Sequence, residues 1–285
     1  MTFGAISRRG MLQVLAGGAV YAAMPAGAVE SRIGKLIHDS KAWATVGQRI
    51  GFISRALLGT TYKGYTLVGG PERAERFVMR DDAFDCVTFC ETVLAASLAH
   101  DIGDFEQALR NIRYHNGVVS WRARNHYYYE WSQHNVENKT CRPVALDGAI
   151  TFNKTVYWHR DLGRRKFQMS VIPRAKFLAG RQQLATGDLV GFVTTRPNLD
   201  YFHIGFVAFG DKGELLLRHA SRSRHRVLDE SMESFTAYNR VRYVTLLRPQ
   251  EPVTPSLAPS AKVDDAAITN SIGQAGAPPA PEKGE

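Results

Sequence analysis

A chain of 285 residues with 44% hydrophobic and 22% charged residues has the size of one large domain or two small ones and the composition of a soluble globular protein. Its formal net charge of +9 favours anionic partners, yet the charge is spread out and no long basic run or nucleic-acid motif gathers it, so no nucleic-acid partner is expected. Beyond the N-terminus no apolar run reaches the roughly 18 residues that a membrane span needs.

The chain opens on an address. Ser7-Arg8-Arg9-Gly10-Met11-Leu12-Gln13 carries twin arginines, an apolar run follows from Met11 to Met24, and Ala26-Gly27-Ala28 offers a small-residue cleavage site. Residues 1–28 thus resemble a twin-arginine (Tat) export signal, and the mature chain is expected in the periplasm without stable membrane insertion. Export implies an oxidising compartment, where an odd count of three cysteines leaves at least one thiol over. Cys90 and Cys141 can pair; Cys86 and Cys90, one helical turn apart with parallel Cβ directions, suit a disulfide poorly.

Apolar residues at helical spacing predict helix over 31–58, broken by Gly59 to Tyr65. Gly69-Gly70-Pro71 is a turn cluster, and a short strand is expected at 76–79. Asp85 ends a polar run and opens a second helix at 86–100, which sets Cys86 in its first turn. Unpaired amides and the positive end of the helix dipole favour a thiolate there, so a lowered pKa and a nucleophilic role are expected. The plainer reading of Cys86 is a small buried apolar residue. Asp104 is read as the cap of a third helix over 105–114, which Asn116-Gly117 ends.

Trp121 to Asn135 interleaves Trp121, Tyr127, Tyr128, Tyr129 and Trp131 with Arg122, Arg124, His126 and His134. Such a mixture suits a groove for a polar ligand, and equally a helix that packs its aromatics inward. Residues 138–180 give little beyond a helix near 173–184. Strands are expected at 189–193, 204–208, 214–219 and 240–247, with Gly210-Asp211-Lys212-Gly213 as a hairpin turn. Helices first and antiparallel strands afterwards make an α+β domain over 29–249. From 250 to 285 the Pro/Ala/Gly/Ser-rich composition predicts a disordered tail.

A cysteine nucleophile needs a base, and the base an orienting partner. His203 and His219 lie on the two strands of that hairpin. A turn centred on Asp211 sets them opposite each other. A three-residue loop Asp211-Lys212-Gly213 shifts them by two but keeps one face, and a two-residue turn separates them. One imidazole would serve Cys86 while the other fixes its tautomer, and Gly205 on the same face would leave room for substrate. Cys86, His203 and His219 could also ligate zinc, but no metal-binding spacing supports this, so neither metal nor cofactor is expected.

Several blocks stand in a telling order: Leu58-Gly59-Thr60-Thr61-Tyr62, Asp85-Cys86-Val87-Thr88-Phe89-Cys90-Glu91, Ile112-Arg113-Tyr114, Arg124-Asn125-His126-Tyr127-Tyr128-Tyr129-Glu130-Trp131, Gly187-Asp188, Leu199-Asp200-Tyr201-Phe202-His203-Ile204-Gly205 and His219-Ala220-Ser221. Together they resemble the NlpC-type cell-wall hydrolases, papain-like cysteine amidases and peptidases, and within them the N-acetylmuramoyl-L-alanine amidase-like family. The resemblance covers roughly residues 50–247. It implies a papain-like fold with the nucleophile helix packed on an antiparallel sheet, a monomer, and peptidoglycan or a muropeptide as substrate. It implies Cys86 as nucleophile, His203 as base and His219 as orienting residue, with Asp200 a rival for the third place. Tyr62, Arg124, His126, Tyr127, Trp131 and Asp200 are the substrate-binding candidates, Tyr62 as an oxyanion donor. Thr61 departs from the proline, and Cys90 from the valine, expected in these blocks. The implied reaction is cleavage of the lactyl–L-alanine amide, with a stem-peptide endopeptidase as nearest rival. A non-catalytic wall-binding protein using Trp121 to Trp131 is the reading from another class.

Overall fold

Thr45 divides the first helical stretch in two. Its hydroxyl accepts from Gln48 N while the Gln48 carboxamide accepts from Thr45 N, a reciprocal cap that begins a new helix. The expected helix over 31–58 is therefore α1 (Ala26–Ser40) and α2 (Val46–Ala56). The computed structural model describes residues 26–252 apart from Trp158, with side chains from Arg32 onward. All but the cleavage site of the expected export signal lies outside the described residues, as does the expected tail from residue 253. Gln250 and Glu251 do not belong to a loose tail: Gln250 N donates to Thr140 O, and the Glu251 carboxylate accepts from Val46 N and Arg49 at the start of α2.

Past α2 come β1 (Thr61–Tyr62), the hairpin β2 (Val68–Gly70) and β3 (Arg73–Arg76), and β4 (Ala83–Phe84). The strand expected at 76–79 thus begins earlier, at the hairpin turn. Asp85 caps α3 (Cys86–Leu98): its carboxylate accepts from Thr88 N at 2.8 Å, and Thr88 Oγ1 accepts from Asp85 N at 3.0 Å. α4 (Ile102–Arg113) is capped by Asp101 rather than the expected Asp104, whose carboxylate turns back to His100 N. α5 (Tyr128–Glu137) starts inside the aromatic segment.

The weakly patterned region holds β5 (Cys141–Pro143), the hairpin β6 (Ile150–Val156) and β7 (Arg165–Pro173), and α6 (Arg174–Ala179). There follow β8 (Leu189–Val193), β9 (Tyr201–Phe209), β10 (Leu215–Ser221), β11 (Arg226–Ser231), α7 (Met232–Tyr238) and β12 (Tyr243–Pro249). One curled sheet runs in the order β4-β1-β11-β10-β9-β8-β12-β7-β6, antiparallel except for β1 with β4, and β5 joins β12. Alternation along the strands gives the sheet two apolar faces. Ile204, Phe206 and Ala220 meet α2, α3 and α5, where Phe89 packs edge-on to Phe206 at 5.9 Å. Val190, Phe192, Val207 and Leu217 meet α6 and α7 through Phe177, Met232 and Phe235.

The β9–β10 turn decides where the histidines lie. Gly210 N donates to Glu214 O around a loop of Asp211, Lys212 and Gly213, with Gly213 in the left-handed region at φ +77°. This is the three-residue alternative, and it keeps His203 and His219 on one face. The ladder ends at the pair Arg218–Phe206. Beyond it β9 and β10 part.

Candidate active site

Cys86 stands at that parting. Val207 N donates to Asp188 O on the β8 side, so alternation turns the Ile204 N–H toward β10. The ladder has ended there, and the N–H groups of Ile204 and, at the start of α3, of Cys86 and Val87 act on the Cys86 sulfur and pull its pKa down. These backbone N–H groups favour a thiolate, as the helix-start argument expects. They are outweighed. Burial first, and the neighbouring Asp85 carboxylate second, push the thiol up to about 12. The expected lowering is therefore reversed. A helix N-terminus offers about half a positive charge, while Asp85 brings a whole negative one beside a half-buried sulfur. All three cysteines are free, so the allowed Cys90–Cys141 disulfide is not formed, and both those residues are buried.

The two imidazoles are joined. His203 Nε2 lies 2.6 Å from His219 Nδ1, with ring centroids 4.7 Å apart and planes nearly perpendicular. Phe235 of α7 packs on both rings at 5.4 Å. Burial pushes both rings toward the neutral form, His203 far below its ordinary value and His219 to about 4. Gly205 makes room for the pair rather than for substrate: a Cβ there would meet Leu217 Cδ1 at 2.7 Å and His219 Cβ at 3.0 Å. Among the described residues no hydrogen bond joins the Cys86 thiol to either ring.

A cavity of about 660 Å³ opens on Cys86. Of the substrate-binding candidates, Tyr62, Arg124 and His126 line it. Burial, then the charges of Cys86 and Asp85, raise the Tyr62 hydroxyl. Arg124 Nη1 donates to Glu75 Oε1 at 2.9 Å, an oxygen it shares with the Tyr114 hydroxyl. His126 lies on Trp121 at 4.5 Å with Nε2 2.7 Å from Trp121 O, and burial pushes it down to about 4.

Tyr127, Trp131 and Asp200 are elsewhere. Trp131 is 1% exposed and stacks on Tyr128, and Tyr127 packs on Phe167, so the aromatic segment mainly faces the core. Asp200 is buried with its carboxylate accepting from Tyr129 N at 2.8 Å, in the first turn of α5. It caps a helix and does not touch the histidine pair. Sequence reasoning missed Arg222, on the cavity wall just after β10. Its exposed side chain makes no hydrogen bond or ion pair among the described residues, whereas Arg113 and Arg124 on the same wall are paired with Glu91 and Glu75. Only its place directly after His219-Ala220-Ser221 sets it apart in the sequence.

The sequence profile of the N-acetylmuramoyl-L-alanine amidase-like family matches residues 52–241. Among solved structures, a Legionella pneumophila protein of the DUF1460 family superposes with a TM-score of 0.69 at 23% identity, over 80% of this chain and 97% of its own. An N-acetylmuramoyl-L-alanine amidase from Bacteroides uniformis superposes with a TM-score of 0.62 at 22% identity, over 77% of this chain and 100% of its own. These likenesses show a shared mixed α+β fold with a curled sheet. No curated protein matches the sequence.

Proposed function

The chain belongs to the N-acetylmuramoyl-L-alanine amidase-like family, and from that premise we propose that it hydrolyses the amide between the muramic acid lactyl group and L-alanine in peptidoglycan, with Cys86 as nucleophile. The observation that carries the mechanism is the gap where β9 and β10 part: Cys86 stands at it on the α3 side of the sheet, and the bonded pair His203–His219 flanks it on the α7 side, so the proposed proton transfer runs through that gap. His203 Nε2 is taken by His219, so His203 Nδ1 is the nitrogen left for the thiol. A thiol pushed up to about 12 and rings held neutral argue against a standing thiolate–imidazolium pair. The proton moves from sulfur to His203 Nδ1 as sulfur attacks the carbonyl, and His203 then gives it to the leaving amine. Water, deprotonated by His203, releases the acyl group from sulfur. The Cys86 N–H and the Tyr62 hydroxyl are the proposed oxyanion donors. Catalytic hydrogen bonds often tighten only when substrate binds, so the missing thiol–imidazole bond is compatible with this sequence of steps.

A papain-like, NlpC-type arrangement is supported by a nucleophile helix laid on an antiparallel sheet. Twin-arginine export to the periplasm rests on residues 7–28 alone. The unpaired Arg222 beside Cys86 suits a substrate rich in carboxylates. The test is muropeptide profiling of sacculi treated with wild type and Cys86→Ala. Free stem peptides from wild type alone support the amidase. Shortened stems mean an endopeptidase, and products undiminished in Cys86→Ala remove the nucleophile.

A further inference from the structure

Across β10 and β11, Leu217 pairs with Glu230 and His219 with Leu228, so Glu230 shares a face with His219 and sits diagonal to it. Glu230 Oε2 lies 3.3 Å from His219 Nε2, a buried nitrogen with no well-formed hydrogen bond. The neighbouring carboxylate, Asp229, points to the other face, where Arg218 holds both its oxygens at 2.7 Å. Its field favours the charged form of His219, but its atoms are engaged. Among the described residues the other rings against the pair are apolar, Phe192 from β8 and Phe235 from α7.

Tautomers follow from this order. If His203 Nδ1 takes the thiol proton, His203 carries its resting hydrogen on Nε2 and donates it to His219 Nδ1. His219 must then carry its own hydrogen on Nε2, facing Glu230. We propose that Glu230 is a positioning residue that ends a Cys86–His203–His219–Glu230 series. It accepts the His219 Nε2–H, fixes that tautomer, and offsets the positive charge that His203 gains when it takes the proton from sulfur. A single proton moves, from sulfur to Nδ1; both Nε2 hydrogens stay in place.

This inference rests on the Cys86–His203 reading, and the two fail separately. The experiment compares wild type, Glu230→Gln, Glu230→Ala, Glu230→Asp and His203→Ala by muropeptide kinetics, thermal melting and ¹⁵N imidazole spectra. Glu230→Gln is expected to lower kcat about tenfold, with KM within about twofold of wild type and folding retained. The imidazole pair should titrate at lower pH without the carboxylate. Glu230→Ala should lose the single Nε2–H tautomer of His219, and Glu230→Asp should recover part of kcat. Wild-type kcat with an unchanged His219 tautomer in Glu230→Ala overturns the inference, as does a kcat loss that merely tracks the unfolded fraction. An active His203→Ala overturns the mechanism itself, whatever Glu230 does.

Discussion

Asp85→Asn should make the Cys86 thiol easier to ionise. Two effects hold the proton on sulfur, burial and the Asp85 carboxylate, and the substitution removes only the second. At roughly 6 Å and an effective dielectric of about 20, a unit charge is worth about 3 kcal/mol. That is an upper figure for this half-exposed site, so a fall of about one to two pH units is expected. The helix start should survive, because asparagine caps about as well as aspartate and can still accept from Thr88 N. The assay is the alkylation rate of Cys86 against pH, read by peptide mass spectrometry. Cys90 and Cys141 are 0% and 1% exposed and should stay silent. In wild type only about one thiol in ten thousand is ionised at pH 8, so labelling should be slow until strongly alkaline pH. In Asp85→Asn, labelling at pH 8 should rise roughly tenfold or more. An unmoved midpoint, with the melting temperature preserved, would refute the electrostatic account and leave burial as the sole cause.

Glu91→Ala leaves the Arg113 guanidinium buried without the carboxylate that meets it at 2.8 Å, and should cost about 3–5 kcal/mol in denaturant unfolding. Replacing both partners by leucine should recover part of that loss, because no charge is then stranded. Arg222→Ala should raise KM about tenfold for muropeptides with free stem carboxylates and change it little for amidated stems, measured in parallel digests. His126 and His219 are both held at about 4 against an ordinary 6.5, so the unfolded chain binds protons in that window that the folded chain does not. Stability should therefore fall as pH drops from 6.5 toward 4, and His126→Gln should flatten the slope of urea midpoint against pH.

Sequence patterns found the elements whose burial repeats at one period. α3, β8, β9 and β10 carry dense apolar runs and stand close to where periodicity sets them. The hairpin β6–β7 escaped because it lies at the sheet edge, where Lys154, Arg165 and Lys166 interrupt the alternation. Lys154 is nonetheless buried, its ammonium held by the carbonyls of Thr194 and Arg196. No local rule foresees a lysine satisfied by residues some forty positions away. β11 escaped for a related reason: Arg226, Asp229 and Glu230 interrupt its apolar pattern, but Asp229 is paired with Arg218 across the ladder. In both cases tertiary partners override composition.

The site divides along the same line. Strand alternation and loop length were enough to bring His203 and His219 to one face, since both rules act within one hairpin. Many other motif residues turn out to hold the frame: Arg113 on Glu91, Asp188 on Arg248, Asp200 on the start of α5. A motif records which residues are needed and not what they touch. The state of the thiol was the harder matter, because it is a balance of three effects of which only two are local. The helix start and Asp85 can both be read from the chain, and a whole charge outweighs half of one. Burial of the sulfur against β9 comes only from the fold, and it is the largest effect. A protonated thiol reacts slowly with oxidants, which act on the thiolate. In the oxidising compartment that the proposed export would give the chain, the forces that keep Cys86 protonated would therefore protect it. Attack would then depend on a base that acts only once a carbonyl is in place.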